Sequence, residues 1–156
     1  MNRFMKYLGV CVFTLFTLPA FATDDAVSTG FFNDIAIDGY DTVAYFTQGK
    51  PVEGDKKFQF SWRDANWRFA SQENLDLFKQ NPEKYAAQYG GYCAWAMAEG
   101  KTAGIDPDIW HIEDGKLYLN YDKGVQKDWL SDLQADIVSA DKNYPKITDV
   151  SKYLNN

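Results

Sequence analysis

The chain has 156 residues, 46% hydrophobic and 17% aromatic, with 22 acidic against 16 basic side chains and a net charge of −6. That length suits one domain, and the acidity argues against nucleic acid or anionic lipid headgroups as partners. The aromatic content lets a small domain build its core from rings without disulfide staples.

Residues 1–22 read as a secretory signal peptide. Arg3 and Lys6 make a basic start, Tyr7–Leu18 is apolar and uncharged, and Ala20-Phe21-Ala22 is a small-x-small cleavage site. The expected product is periplasmic or secreted, cleaved near Ala22. The apolar run is shorter than the roughly 20 residues a membrane helix needs, and no later segment is long enough, so no transmembrane segment is expected. A lipidated Cys11 is disfavoured, because it lies inside the apolar run behind the large Val10. Without Arg3 and Lys6 the chain keeps 14 basic and 22 acidic residues, a net of −8. Cys93 is then the sole thiol, so no internal disulfide can form. In an oxidising compartment such a cysteine is buried, metal-bound, paired between chains or reactive.

Residues 23–34 form a leader, small and polar over 23–32, a run that ends in Phe31-Phe32. Ile35-Ala36-Ile37 is a short strand candidate, and Asp38-Gly39 turns the chain. Asp41 is placed to cap a helical turn over Thr42–Phe46. Phe58–Trp62 and Trp67–Ala70 alternate with period two across a polar loop, Arg63–Asn66, and form a hairpin. Ser71 caps the next helix, with Leu75 and Phe78 on one face. Asn81-Pro82 ends it and starts another, Pro82 taking the first helical position. Gly90-Gly91 breaks the chain, Cys93–Glu99 reads as a turn or two of helix, and residues 101–108 read as irregular.

Asp114-Gly115 is a two-residue type I′ turn signal. It pairs Glu113 with Lys116, Ile112 with Leu117, His111 with Tyr118 and Trp110 with Leu119. Trp110, Ile112, Leu117 and Leu119 then share the core face, and His111, Tyr118, Glu113 and Lys116 the more polar one. Asp122 caps a C-terminal helical region with a stripe of Val125, Trp129, Leu133 and Ile137. A restart at Ser131, an end at Pro145 and a loose tail over residues 146–156 complete the reading. The sum is α+β: a small antiparallel sheet of two hairpins with helices packed on one face.

Several ordered motifs in residues 35–145 resemble the exported branch of the YHS-domain family. They are Ile37-Asp38-Gly39-Tyr40-Asp41, Val43-Ala44-Tyr45-Phe46, Trp67-x-Phe69-Ala70-Ser71, Asn81-Pro82-Glu83-Lys84-Tyr85, Tyr89-Gly90-Gly91-Tyr92-Cys93-Ala94 and Asp114–Tyr121. The resemblance implies a small α+β domain associated with metal handling, copper-transporting pumps included. It also exposes a departure. Metal-associated members carry a cysteine just before the serine of the Trp67–Ser71 motif and another in the following helix. Here the first position is Ala70, and Gln72–Leu77 contain no cysteine. Thr42-Val43-Ala44 likewise lacks the cysteine of the metal-type pattern. Those metal ligands do not carry over.

Cys93 remains the central candidate. A helix start behind two glycines would favour its thiolate. Met97, four residues on, would add a thioether, and the pair is a soft donor set suited to Cu(I). His111 is a further metal candidate. Zinc would need about four protein ligands, which Cys93, His111 and one carboxylate do not supply. The bland reading makes Cys93 and Met97 the core face of a short helix. Tyr40, Asp41, Tyr89, Gly90, Gly91 and Tyr92 are candidate pocket residues, the glycines offering backbone N–H groups to an anion. No catalytic residues are assigned: there is no phosphate loop, no dinucleotide fingerprint and only one histidine. Two main readings stand, a soft-metal (copper or zinc) binder centred on Cys93 and a metal-free ligand- or protein-interaction module with a periplasmic partner. A thiol redox partner is a third, lacking a resolving cysteine.

Overall fold

Asp41 organises the first third of the domain. It caps α1 (Thr42–Thr47), its Oδ1 accepting from the N–H groups of Val43 and Ala44 at 2.9 and 3.3 Å. Its Oδ2 accepts from the Ala70 N–H at 2.8 Å and the Asn74 amide at 2.7 Å. This fully buried carboxylate thus ties α1 to the end of β2 (Ala65–Phe69) and to α2 (Gln72–Gln80). The computed structural model describes residues 23–154; residues 1–22, which the sequence reading expects to be a signal peptide, lie outside the described residues.

β1 (Asp55–Trp62) pairs antiparallel with β2, Phe60 facing Trp67 and Trp62 facing Ala65. The connection is tighter than the expected four-residue loop. Arg63 and Asp64 alone make the turn, at φ +51° and +57°, and Ala65 and Asn66 are strand. Asn66 exchanges backbone hydrogen bonds with Asp34 and Ala36, which draws it into the ladder. The predicted strand over residues 35–37 is reduced to isolated bridges. Ile37, Asp38 and Gly39 instead turn left-handed, at φ +52°, +51° and +85°. The turn buries Ile37 and swings Asp41 inward.

Ser71 and Asn81 cap α2 and α3 (Pro82–Tyr85) as their sequence positions predict. A second left-handed run, Tyr89-Gly90-Gly91, leads to α4 (Ala94–Ala98). β3 (Asp106–Glu113) and β4 (Lys116–Asn120) form the second hairpin in the expected register, turning on Asp114-Gly115 at φ +50° and +72°. β3 begins inside the stretch expected to be irregular. Among the described residues the hairpins remain separate two-stranded sheets.

α5 (Lys123–Ser131) and α6 (Leu133–Ile147) follow. The break falls at Asp132, one residue past Ser131, and Pro145 lies inside α6. The helix runs past it to Ile147, where the Thr148 N–H and hydroxyl both donate to the Tyr144 carbonyl and close the end. The described part of the segment expected to be loose is packed: Thr148 and Val150 are buried, and α7 (Ser151–Leu154) is the last described element. Asp24 exchanges backbone hydrogen bonds with Ile147 and Asp149. Lys152 and Tyr153 grip Asp64 at 3.0 and 2.6 Å, pulling its carboxyl below the usual range, chiefly through the tyrosine hydroxyl.

Two hydrophobic clusters meet at β4. Leu117 and Leu119 face the first, with Tyr45, Trp67, Phe69 and Phe78. Tyr118 faces the second, with Tyr89, Met97, Trp129 and Ala140. The face predicted to be more polar is therefore buried at Tyr118 and Asn120, because α4 and α5 pack on the hairpin and Ala140 of α6 joins the same cluster. Each fully buried large side chain contributes about 1.5–3 kcal/mol. Of the predicted C-terminal stripe only Trp129 is fully buried.

Candidate functional site

Cys93 immediately precedes α4, and the protein encloses it. It is 1% exposed, its N–H donates to the Ala103 carbonyl, and its sulfur lies 3.6 Å from Asn120 Oδ1. Asn120 Oδ1 also accepts the Trp95 N–H at 3.3 Å, which sets the orientation of the amide. The group facing the sulfur is thus an acceptor, and it suits an S–H donor rather than the thiolate a metal requires. α4 is only five residues long, so its dipole offers little to an anion. Met97 shares the interior but packs among the rings and alanines of the second cluster.

His111 stands on β3, half-buried, with Nε2 3.2 Å from Glu113 Oε2. No hydrogen bond or ion pair links it to Cys93 among the described residues. No group of three histidine, cysteine, aspartate or glutamate side chains there can hold a metal ion. The donors present do not fit a resident copper or zinc ion: the one thiol faces an amide oxygen, the thioether is packed, and the imidazole has its own carboxylate.

The tentative pocket residues divide. Asp41 is committed to the four hydrogen bonds already described. Tyr40 makes an isolated antiparallel bridge to Glu53, ahead of β1. Tyr92 donates to the Asp25 carbonyl, and burial pushes its phenol up to about 12. Gly90 and Gly91 serve close packing. A Cβ at Gly90 would lie 1.9 Å from the Ala26 oxygen, and one at Gly91 would lie 2.0 Å from Ile37 Cδ1, so the two left-handed runs interlock.

Tyr89 and Gly90 reach a real cavity, about 260 Å³ in volume, between the first hairpin's turn, α3, the Tyr89 loop and the C-terminal helices. Ala86, Ala87, Pro145, Val150 and Leu154 are its apolar walls, and Trp62 and Tyr144 add rings. Its polar groups come from distant parts of the chain: Arg63 from the hairpin turn, Glu83 from α3 and Asp141 from α6.

Arg63 dominates the cavity. Its side chain is only 11% exposed, and its guanidinium lies 4.3 Å from the Trp62 ring centre. That stacking holds the planar fork in place. Among the described residues its single protein acceptor is Glu83 Oε1 at 2.7 Å, on a side chain that is mostly in solvent. The other guanidinium donors have no protein partner among the described residues. Tyr89 donates to Asp141 Oδ1 at 3.0 Å, and burial, reinforced by that carboxylate, raises its phenol far above the ordinary value. Burial raises Tyr144 as well, against the opposing pull of Arg63. Both phenols stay neutral, and each hydroxyl is a hydrogen-bond donor, Tyr144 to the Ala26 carbonyl.

Sequence reasoning picked out Tyr89 and Gly90 but missed Arg63, Glu83, Asp141 and Tyr144. The available signal was the Trp62-Arg63-Asp64 junction, where a cation follows an aromatic strand directly at a turn.

Residues 43–89 match the family model of the YHS domain, under a third of the chain. The match ends at Tyr89, before Cys93, Met97 and His111. Arg63 and Glu83 lie within it. No curated protein and no solved structure matches the chain.

Proposed function

We propose that this chain is an exported, non-catalytic binding module of YHS type that takes a small carboxylate-bearing ligand at Arg63, without a metal ion. The observation that carries the reading is the state of Arg63: nearly buried, stacked on Trp62, and matched by one exposed carboxylate. A guanidinium in that setting reads a planar anion through parallel N–H bonds. Periplasmic location rests on the signal-like segment 1–22. The family's link to metal handling gives the competing reading, copper at Cys93 with Met97 or His111 assisting. The enclosure of Cys93 beside Asn120 weighs against it.

The test is an NMR-monitored titration of residues 23–156 with two small carboxylates, L-leucine and 4-methylpentanoate. At least one is expected to shift amide signals around residues 62–63 and 86–90. Arg63→Gln is expected to weaken that binding at least tenfold with its unfolding midpoint close to the parent's. Arg63→Lys, which keeps the charge without the fork, should fall between. An anaerobic Cu(I) titration read by native mass spectrometry runs beside it. One copper retained by the parent and lost in Cys93→Ala would overturn the reading, as would the failure of both carboxylates to bind.

A further inference from the structure

We infer that the pocket's ligand is a zwitterion of amino-acid size, its carboxylate held inside by Arg63 and its ammonium held at the mouth by Asp141 and Glu83; this rests on the Arg63 pocket being the binding site. The cavity is bipolar. Its cation is nearly enclosed, whereas both carboxylates sit at the opening: Glu83 is 70% exposed and Asp141 is on the solvent face of α6. The Tyr89 and Tyr144 rings, 5.8 Å apart, line the same cavity, each hydroxyl anchored to the protein.

A simple carboxylate would satisfy Arg63 but bring like charge towards Glu83 and Asp141. A simple amine would meet those two but leave Arg63 without a new partner. A zwitterion answers both ends. Asp141 is prepared for this, because Tyr89 occupies Oδ1 and Oδ2 has no protein partner among the described residues. The Arg63–Glu83 contact joins an enclosed guanidinium to a carboxylate that is 70% exposed, so the mobile partner is Glu83, which has solvent around it in which to turn to the incoming ammonium. The apolar walls, Ala86, Ala87, Pro145 and Val150, leave room for an aliphatic side chain. The volume of about 260 Å³ lies below the usual range for drug-sized ligands, roughly 300–1,000 Å³.

Three probes that differ only in their charged ends decide the matter: L-leucine, 4-methylpentanoate, which lacks the ammonium, and 3-methylbutylamine, which lacks the carboxylate. Calorimetry on residues 23–156 should show L-leucine binding at least tenfold tighter than 4-methylpentanoate, and the amine not binding. Asp141→Asn should collapse the leucine-to-acid ratio towards one, and Glu83→Gln should reduce it in part. Arg63→Gln should remove leucine binding. Equal affinity for L-leucine and 4-methylpentanoate would sink the zwitterion and leave the anion pocket standing. An unchanged ratio in Asp141→Asn would also sink it. Binding of neither carboxylate would remove both this inference and the reading beneath it.

Discussion

The surroundings of Cys93 and of Arg63 contain the two most chemically capable side chains of the domain, and the fold treats them in opposite ways. Cys93 is 1% exposed and placed against Asn120, next to a helix whose far end is packed in rings. Arg63 is almost as enclosed, yet its guanidinium lines a cavity and has a single, solvent-facing acceptor among the described residues. Burial alone therefore does not mark function. What separates the two is whether the group's bonding capacity is already filled by the protein around it.

The largest expected effect tests the packed side of that contrast. Met97 is fully buried among Tyr89, Tyr118 and Trp129. Met97→Ala should destabilise the domain by about 2–5 kcal/mol in urea unfolding, as core truncations do. A loss below about 1 kcal/mol would mean that Met97 is not core, and would reopen a ligand role.

Alkaline pH tests the buried phenols, Tyr89 and Tyr144 of the pocket wall among them. Tyr45, Tyr89 and Tyr144 all have phenols raised by burial. The folded protein holds these protons while the unfolded chain releases them near pH 10. Stability should thus be intact below about pH 10 and fall above it, by about 1.4 kcal/mol per pH unit for each phenol kept neutral. Urea midpoints between pH 9 and pH 11 read this directly, and Tyr89→Phe should flatten the slope. A midpoint that does not move across that range would place the phenols in water.

The smallest effect concerns the thiol. Cys93→Ala should lower stability by only about 1 kcal/mol, with carboxylate binding at Arg63 unaltered. A small disulfide reagent should label Cys93 in urea but leave the folded protein untouched. Rapid labelling of the folded state would erase the contrast between the two regions.

Much of the fold was legible because its signals are local. Asp41, Ser71, Asn81 and Asp122 cap the helices that follow them, since each supplies an oxygen to N–H groups two or three residues on. Asp114-Gly115 sets the β3–β4 register because that pair tolerates the left-handed turn a tight hairpin needs. The Arg63-Asp64 turn hid because Arg63 gives no sign of a positive φ, although Asp64 tolerates one, and Ile37 hid more deeply, being β-branched. Such conformations are imposed by surroundings: Asp64 is held by Lys152 and Tyr153, and Ile37 by its burial against Gly91. The candidate site was half visible. Tyr89 and Gly90 stood out by motif, whereas Arg63, Glu83 and Asp141 carry no shared spacing.

By itself, the sequence determined an α+β chain with two hairpins, capped helices, one thiol in the 23–156 segment and a stretch bearing the YHS match, because periodicity, caps and turns act over a few residues. Only the tertiary structure decided that β4 is covered on both faces, that the C-terminal segment packs against the leader, and that the cysteine is closed while the arginine is open. Those outcomes depend on which distant surfaces exclude water from one another. Arg63 and Asp141 line one cavity only once the last helices have folded back across the first hairpin's turn.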